Sequence, residues 1–570
     1  MKKGKYILLI FLFFFILLTL TVIAFIYSEF WRAPEVKAGS YLEIELAGSF
    51  PELAAPDYLT SLLFGRRPLC VHDVWESLRK AKVDDRIRCV LLRLGYLQCD
   101  WAKISEVRDA IQKFRESGKK VFAYIEEAPE FDKEYYLATA CDRIILHPLG
   151  WLGVNGVGGW VPFFKEGLGK LGIEAQFEHV EEFKTAYNMF TEKGFTEAHK
   201  LMMESLYQDI FGEYVRTVAQ ARKKTEEEVR AIIDKSLYQG EQALEAGLVD
   251  SLLYEDELET VLQEGGKKLH RTRLSDYIRT SPSSLGLETG RKVALIYAMG
   301  PIFSGEGVYN TIGGRTLSRA IRQARQDRSI AAVVLRVDSP GGSAVASDVI
   351  WRETFLCKKQ KPLVVSMSDL AGSGGYWISM AAHRIVAQPQ TLTGSIGVLA
   401  GKFSLAGLYD KLGITAEKIT YGQKADLFTT FRPFSPDERR LLKENILWTY
   451  DRFLAKAAEG RNLTREDVDR VGRGRVWTGR QALEAKLVDE LGGLDTAIGL
   501  AKVLAGIPAE EDVRLVVWPR SISLLGRIFG RPQARTSLFS SADFSRWLQT
   551  LEVLEKENPW ALMPFWLPTH

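Results

Sequence analysis

The sequence predicts an α/β protein made of two tandem copies of one domain behind a single N-terminal transmembrane helix. Three features carry that expectation: an uncharged apolar stretch near the start, an internal repeat, and strand–helix alternation within each copy. Length agrees, since 570 residues exceed one ordinary domain and suit two large units or about three or four of ~150 residues. With 46% hydrophobic and 26% charged residues the composition is globular, which excludes a largely disordered chain. A net charge of +3 over this length predicts no nucleic-acid partner. The five cysteines (Cys70, Cys89, Cys99, Cys141, Cys357) are too few for a disulfide framework and lack CxxC spacing. Neither a Cys-based zinc site nor a redox motif is expected.

Tyr6 to Ser28 is a run of 23 residues without a charge, preceded by Lys2, Lys3 and Lys5. At 1.5 Å per residue such a helix crosses a hydrocarbon core of about 30 Å. A cleaved signal peptide has a shorter apolar block, about 7–15 residues, and a small-x-small site after it, which is not evident here. Residues 1–30 are therefore expected to be a cytoplasmic stub and a retained anchor. Positive flanking charge stays cytoplasmic, which places the body on the far side of the inner membrane. No later stretch is apolar enough to return.

The body matches itself. Gln242-Ala243-Leu244-Glu245-Ala246-Gly247-Leu248-Val249-Asp250 recurs at offset 239 as Gln481-Ala482-Leu483-Glu484-Ala485-Lys486-Leu487-Val488-Asp489. Gly172-Ile173-Glu174-Ala175 matches Gly413-Ile414-Thr415-Ala416 at 241, and Val90–Leu94 matches Val333–Val337 at 243. Slowly drifting offsets mean a duplicated domain with small insertions. The copies are placed at 40–265 and 291–505, with a linker at 266–290 and a basic, aromatic tail at 506–570. In the second copy Val293–Tyr297, Ala331–Val337, Leu363–Ser366 and Ile385–Ala387 are expected strands. Arg315–Gln326 and Ser347–Cys357 are expected amphipathic helices, and Glu197–Lys223 and Asp437–Glu459 long charged ones. Such alternation points to mostly parallel sheets. The tail, with Arg520, Arg527 and Arg531 around Leu524–Phe529 and a Pro559–Trp566 end, suits a membrane interface or a neighbouring protein surface.

Duplication is also an internal control: a costly feature present in one copy alone is not there for the fold. After a strand the second copy carries Asp338-Ser339-Pro340-Gly341-Gly342-Ser343, where the first has Gly95-Tyr96-Leu97-Gln98-Cys99. Two glycines let the backbone turn and aim consecutive N–H groups at a ligand oxygen, as an oxyanion hole requires, though a plain tight turn uses them too. Ser395, in Thr393-Gly394-Ser395-Ile396-Gly397, maps to Val154. A serine nucleophile needs a base. His383 occupies the slot of Asp142 and fits no recognisable Ser-His-Asp order. Lys184 lies 12 residues past Gly172, and the same count from Gly413 reaches Ala425. One copy thus keeps a lysine and loses the serine; the other does the reverse. Lys424, one residue from the matching slot, stays open as the base, and Ser373 as the nucleophile. No HExxH or clustered His/Asp pattern suggests a metal, and no cofactor is expected.

The anchor, the duplication and the motifs Asp338-Ser339-Pro340-Gly341-Gly342, Ala371-Gly372-Ser373-Gly374-Gly375-Tyr376-Trp377 and Leu392-Thr393-Gly394-Ser395-Ile396-Gly397 resemble the long form of the signal peptide peptidase A (protease IV) family. The resemblance spans about 40–505 and is strongest in the second copy. It implies a crotonase/Clp-protease-like fold and a membrane-anchored Ser–Lys peptidase that degrades apolar peptides such as signal-peptide remnants. It further implies Ser395 as nucleophile, Lys184 as general base, and Gly341 and Gly342 amides as the oxyanion donors. A bowl-shaped homotetramer is implied as well. Short-form relatives take the lysine from the serine's own copy, which keeps Lys424 in view. Glu181 stands where relatives often carry glycine. A lysine base must be neutral near pH 7, so an apolar groove is expected around Lys184, with Glu181 and Glu182 turned away. A non-catalytic membrane scaffold that binds peptides or partner proteins is the competing expectation.

Overall fold

The computed structural model describes residues 12–19, 21, 35–54, 69–128, 131–263, 266–307, 310–518 and 560–562. Most of the expected anchor lies outside the described residues. Residues 12–19 are helical, and among the described residues no helix is long and apolar enough to cross a membrane.

Each copy centres on a parallel sheet. The first runs Ser251–Leu252, Arg143–Leu146, Lys120–Ile125, Ile87–Gln98, Ser40–Ser49, His270–Arg273, every neighbour parallel. The second runs Glu490–Leu491, Arg384–Ala387, Leu363–Gly372, Ile330–Ser339, Lys292–Met299, Arg514–Trp518, these six parallel. It branches at Leu363–Gly372 to Leu392–Gly394, which is parallel to it, and on to Val476–Thr478, which is antiparallel to Leu392–Gly394. Over the six parallel strands the orders are the same in both copies. The repeated sequence motif supports one matching joint in each: Asp250 accepts from the Ile144 amide and Arg222, and Asp489 accepts from the Ile385 amide and Arg461. The sheet order also corrects the expected boundaries. His270–Arg273, inside the expected linker, is the edge strand of the first sheet, and Arg514–Trp518, inside the expected tail, is its counterpart in the second. His270–Arg273 is short, charged and mostly exposed, whereas Arg514–Trp518 has an apolar run from Leu515 but lies past the last repeated motif.

The strands read as unbroken apolar runs because the second sheet is buried on both faces. Alternate residues of one strand point oppositely. Val293 and Leu295 join the core of the first copy, whereas Ala294 and Ile296 join the core under the second copy's own helices. Helix Gly314–Gln326 lays Leu317, Ile321 and Ala324 on that second core, an i, i+4, i+7 stripe. Helix Leu494–Leu504 puts Leu494, Ala497, Ile498 and Ala501 into the first core. The two copies thus share apolar interior.

Buried ion pairs fix the orientation of that shared face. Arg336 holds Glu52 at 3.0 Å and Glu106 at 2.9 Å, both from the first copy. Lys103 of the first copy reaches Asp338 at 2.7 Å and Asp369 at 3.0 Å in the second. Burial opposes the charge on Lys103, but the two carboxylates outweigh it and hold the amine well above its ordinary range. The expected long helices form as Glu197–Arg222 and Pro436–Arg461, and each packs on the opposite copy. Asp209 and Ser205 bond Thr478 and Gln481, while Arg439 meets Glu178 at 3.1 Å.

Candidate active site

The carboxyl ends of three adjacent strands of the second sheet meet at one point. Ser339 pairs with Ala371, and Ala371 with Thr393, so the segments leaving these strands (340–343, 373–375 and 395–397) are neighbours. The end of a parallel strand, where the chain turns away, is where open α/β sheets collect functional groups. In the first copy the matching strand simply continues through Gly95 to Gln98.

Ser395 and Ser373 are both fully buried and both adopt left-handed backbone, with φ of +49° and +55°. A non-glycine residue held there stores of order 1–3 kcal/mol, which the surroundings must impose. Here the Ser395 amide donates to the Arg475 carbonyl at 2.7 Å and the Ser373 amide to the Gly394 carbonyl at 2.8 Å.

Lys184 arrives from the first copy. Strand Glu174–His179 adds antiparallel to Leu399–Ser404 of the second, ending with His179 opposite Leu399. The following turn is pinned by Val180 N to Val398 O at 3.0 Å and Phe183 N to Arg473 O at 3.2 Å. Gly474 closes the clamp: its φ is +84°, and a Cβ there would lie 2.4 Å from the Lys184 backbone nitrogen. Only glycine permits that approach. Arg475 is sandwiched between Phe183 and Trp477, its guanidinium 5.2 Å and 4.2 Å from the ring centres.

The Lys184 Nζ ends 3.0 Å from Ser395 Oγ, 2.8 Å from Ser373 Oγ and 3.1 Å from the Ser395 carbonyl. Desolvation by burial pushes this amine well below its ordinary value. Glu181 and Glu182 turn away from it onto Arg473, at 3.0 Å and 3.3 Å. Glu181 itself has φ of +59°, which is the backbone state that favours glycine at this place. Lys424 lies elsewhere, on the surface 3.8 Å from Asp437. His383 accepts from the Leu363 amide, remote from the two serines in the sheet.

Gly341 and Gly342 have φ of +96° and +151°, and a Cβ on Gly342 would meet the Ile302 carbonyl at 2.1 Å. The Gly341 amide is engaged by Ser339 Oγ at 3.2 Å. Of the expected pair, Gly342 is therefore the member whose amide is not given to that hydroxyl.

Three contributions escaped the sequence: Ser373 as a partner of the amine, the Gly474–Arg475 clamp, and the Lys103 pair beneath the glycine turn. A signal existed for Ser373. At offset 241 it maps to Asp132, whose carboxylate accepts from the Asn155 and Gly156 amides at 3.0 Å and 2.9 Å. The first copy has a backbone-bound carboxylate, raised by burial to about 6, where the second has a hydroxyl on the amine.

Residues 113–270 and 356–508, more than half the chain, match peptidase family S49. Serine protease SPPA, chloroplastic, of Arabidopsis thaliana is 35% identical over 492 residues, covering 84% of this chain and 71% of that protein. Protease 4 of Salmonella typhi is 33% identical over 449 residues, covering 76% and 72%. Protease 4 of Haemophilus influenzae is 31% identical over 454 residues, covering 77% and 73%. Among solved structures, ClpP1 from Listeria monocytogenes overlaps with a TM-score of 0.23 at 14% identity, covering 35% of this chain and 91% of that one. A duplicated α/β domain with these relatives defines a serine peptidase acting on peptides. The chain belongs to peptidase family S49, alongside proteins named SPPA and Protease 4. That assignment displaces the scaffold expectation.

Proposed function

We propose that the peptidase works through a Ser–Lys dyad, Ser395 as nucleophile and Lys184 as general base. The observation that carries this is the 3.0 Å separation of Lys184 Nζ and Ser395 Oγ in a desolvated setting. A neutral amine has two N–H donors and one lone pair. With the donors given to Ser373 Oγ and the Ser395 carbonyl, the lone pair faces the Ser395 hydroxyl. Lys184 takes that proton as the oxygen attacks the peptide carbonyl. The Gly342 amide, with Gly341 if Ser339 releases it, receives the oxyanion. The resulting ammonium protonates the leaving amine. Neutral again, Lys184 activates the water that hydrolyses the acyl-enzyme.

Apolar peptides such as cleaved signal peptides are the proposed substrates, and the domain boundaries revised above frame two halves of one centre. An N-terminal anchor with the body outside the cytoplasm follows from the flanking lysines and the 23-residue stretch. Kinship of each copy with the crotonase/Clp-protease-like fold and a homotetramer complete the reading. Assembly is supported by large apolar side chains left open on the first and second copies, among them Trp160, Ile419 and Tyr421.

The test is kinetic. Ser395→Ala and Lys184→Ala should each abolish cleavage of an apolar peptide with far-UV circular dichroism unchanged, since a positioned base contributes about 10²–10⁴-fold. Lys424→Ala should retain activity within about twofold, as exposed ion pairs are worth little. Full activity of either dyad variant, or loss confined to Lys424→Ala, overturns the assignment.

A further inference from the structure

A slot one strand wide lies beside the proposed nucleophile, and the chain's own residues occupy it. On one side is the short strand Gly341–Ser343, the proposed oxyanion turn; on the other is Leu399–Ser404, which begins four residues after Ser395. Trp560–Leu562 runs between them, antiparallel to both. Its register sets Gly341 against Leu562, Gly342 against Ala561 and Ser343 against Trp560, and Leu399 also against Trp560. This segment joins two otherwise separate pieces of sheet. Ile312–Gly313, Ile302–Phe303 and Gly341–Ser343 lie on one side of it, and Leu399–Ser404 and Glu174–His179 on the other. Strands pack about 4.8 Å apart, so the gap it fills is about two spacings and takes one extended chain.

A peptide to be cut must lie extended past Ser395 with its carbonyl at the glycine turn. The edges free to hold it there are the two that Trp560–Leu562 already uses. Ser395 and Lys184 are fully buried with the segment in place. The segment is apolar, and Pro559 and Pro564 bracket it in the sequence. Proline cannot donate to a ladder, so the bracketing limits how far the added strand can extend.

We infer that Trp560–Leu562 is a resident intramolecular occupant of the substrate slot, bound by strand addition and competing with peptide substrates. The inference rests on the placement of the reaction at Ser395. Tethering gives such a segment a millimolar-scale effective concentration, so a short ladder suffices to keep the slot filled. A longer peptide, making more backbone pairs, displaces it. Because closed and open forms are in equilibrium, occupancy lowers apparent substrate affinity by the open fraction and leaves turnover of bound substrate unchanged.

The test uses the full chain and Ala561→Pro, which removes a backbone donor at the centre of the added strand. A second variant, Trp560→Gly with Leu562→Gly, weakens the strand without proline. Amide hydrogen exchange at Gly341–Ser343 and at Leu399–Ala400 reads occupancy independently of catalysis, and cleavage of an apolar peptide reads competition. Exchange at both edges should accelerate in both variants, and KM should fall with kcat unchanged; a one-in-ten open fraction gives about a tenfold drop. A synthetic peptide of residues 556–566 should inhibit Ala561→Pro competitively. Unchanged exchange at both edges overturns the inference, as does accelerated exchange with unchanged KM. If exchange accelerates while no form of the protein cleaves peptide, the occupant stands and the Ser395 centre falls.

Discussion

Replacing Lys184 with methionine should inactivate the enzyme and at the same time stabilise it, by an amount that depends on pH in a defined direction. Methionine keeps the length and volume of the side chain but has nothing to protonate. In the unfolded chain Lys184 carries its proton up to its ordinary value of 10.5; in the folded protein desolvation holds it well below that. Between those two values the unfolded state binds one more proton than the folded state, so wild-type stability rises with pH. The slope is about 1.4 kcal/mol per pH unit for one proton. The variant lacks this dependence, and every other titrating group is common to both proteins. The methionine protein's advantage over wild type should therefore shrink as pH rises between the depressed folded value and 10.5, by at most about 1.4 kcal/mol per pH unit. Losing the bonds to Ser373 and Ser395 shifts the whole difference by about 1 kcal/mol each without changing its slope. Urea titrations of both proteins at pH 7, 8 and 9 measure it. Parallel stability–pH curves would show that the amine is charged when folded, and the general-base argument would fail with them.

Ser373→Ala removes an acceptor 2.8 Å from the amine. The amine becomes an ammonium only as it takes the serine proton, and a bond to that charge is worth about 1.5–3 kcal/mol, so kcat should drop roughly 10–100-fold while a fluorophosphonate still labels Ser395. Complete loss of labelling would instead make Ser373 the nucleophile. Lys103→Met leaves Asp338 and Asp369 buried without their shared cation and should cost about 3–5 kcal/mol in denaturant unfolding. A change below 1 kcal/mol would mean that the pair contributes nothing to joining the copies. Gly474→Ala places a methyl 2.4 Å from the Lys184 backbone nitrogen, and a displacement near 1 Å costs about 10²-fold in kcat. Unimpaired turnover would show that the clamp does not set the position of the base.

The duplication was legible because the repeated segments build the same joint. Asp250 and Asp489 each receive an arginine and a strand amide, so drift at those positions is costly and the motif survives in both copies. The boundaries were not. His270–Arg273 is a short, mostly exposed edge strand without an apolar run, and Arg514–Trp518, although apolar from Leu515 onward, lies past the last repeated motif, so only the sheet order identifies both. Ser395 and Lys184 were both named from the asymmetry between copies, since chemistry present in one copy and absent from the other is visible without coordinates. Ser373 was treated as a rival nucleophile rather than a partner of the amine, because a spacing in sequence gives no direction for a hydroxyl.

What the amino-acid sequence determined by itself was local and periodic: the strands, the helices, the glycine turns, and the list of groups able to do chemistry. Side-chain pattern and backbone preference act over a few residues, so they can be read along the chain. Tertiary structure alone decided which lysine meets which serine, 211 residues apart. It also decided that the amine is desolvated, that Glu181 and Glu182 are drawn off by Arg473, and that Trp560–Leu562 fills the neighbouring slot. Those outcomes depend on distance and exclusion of water, which come into being only when the two copies pack together.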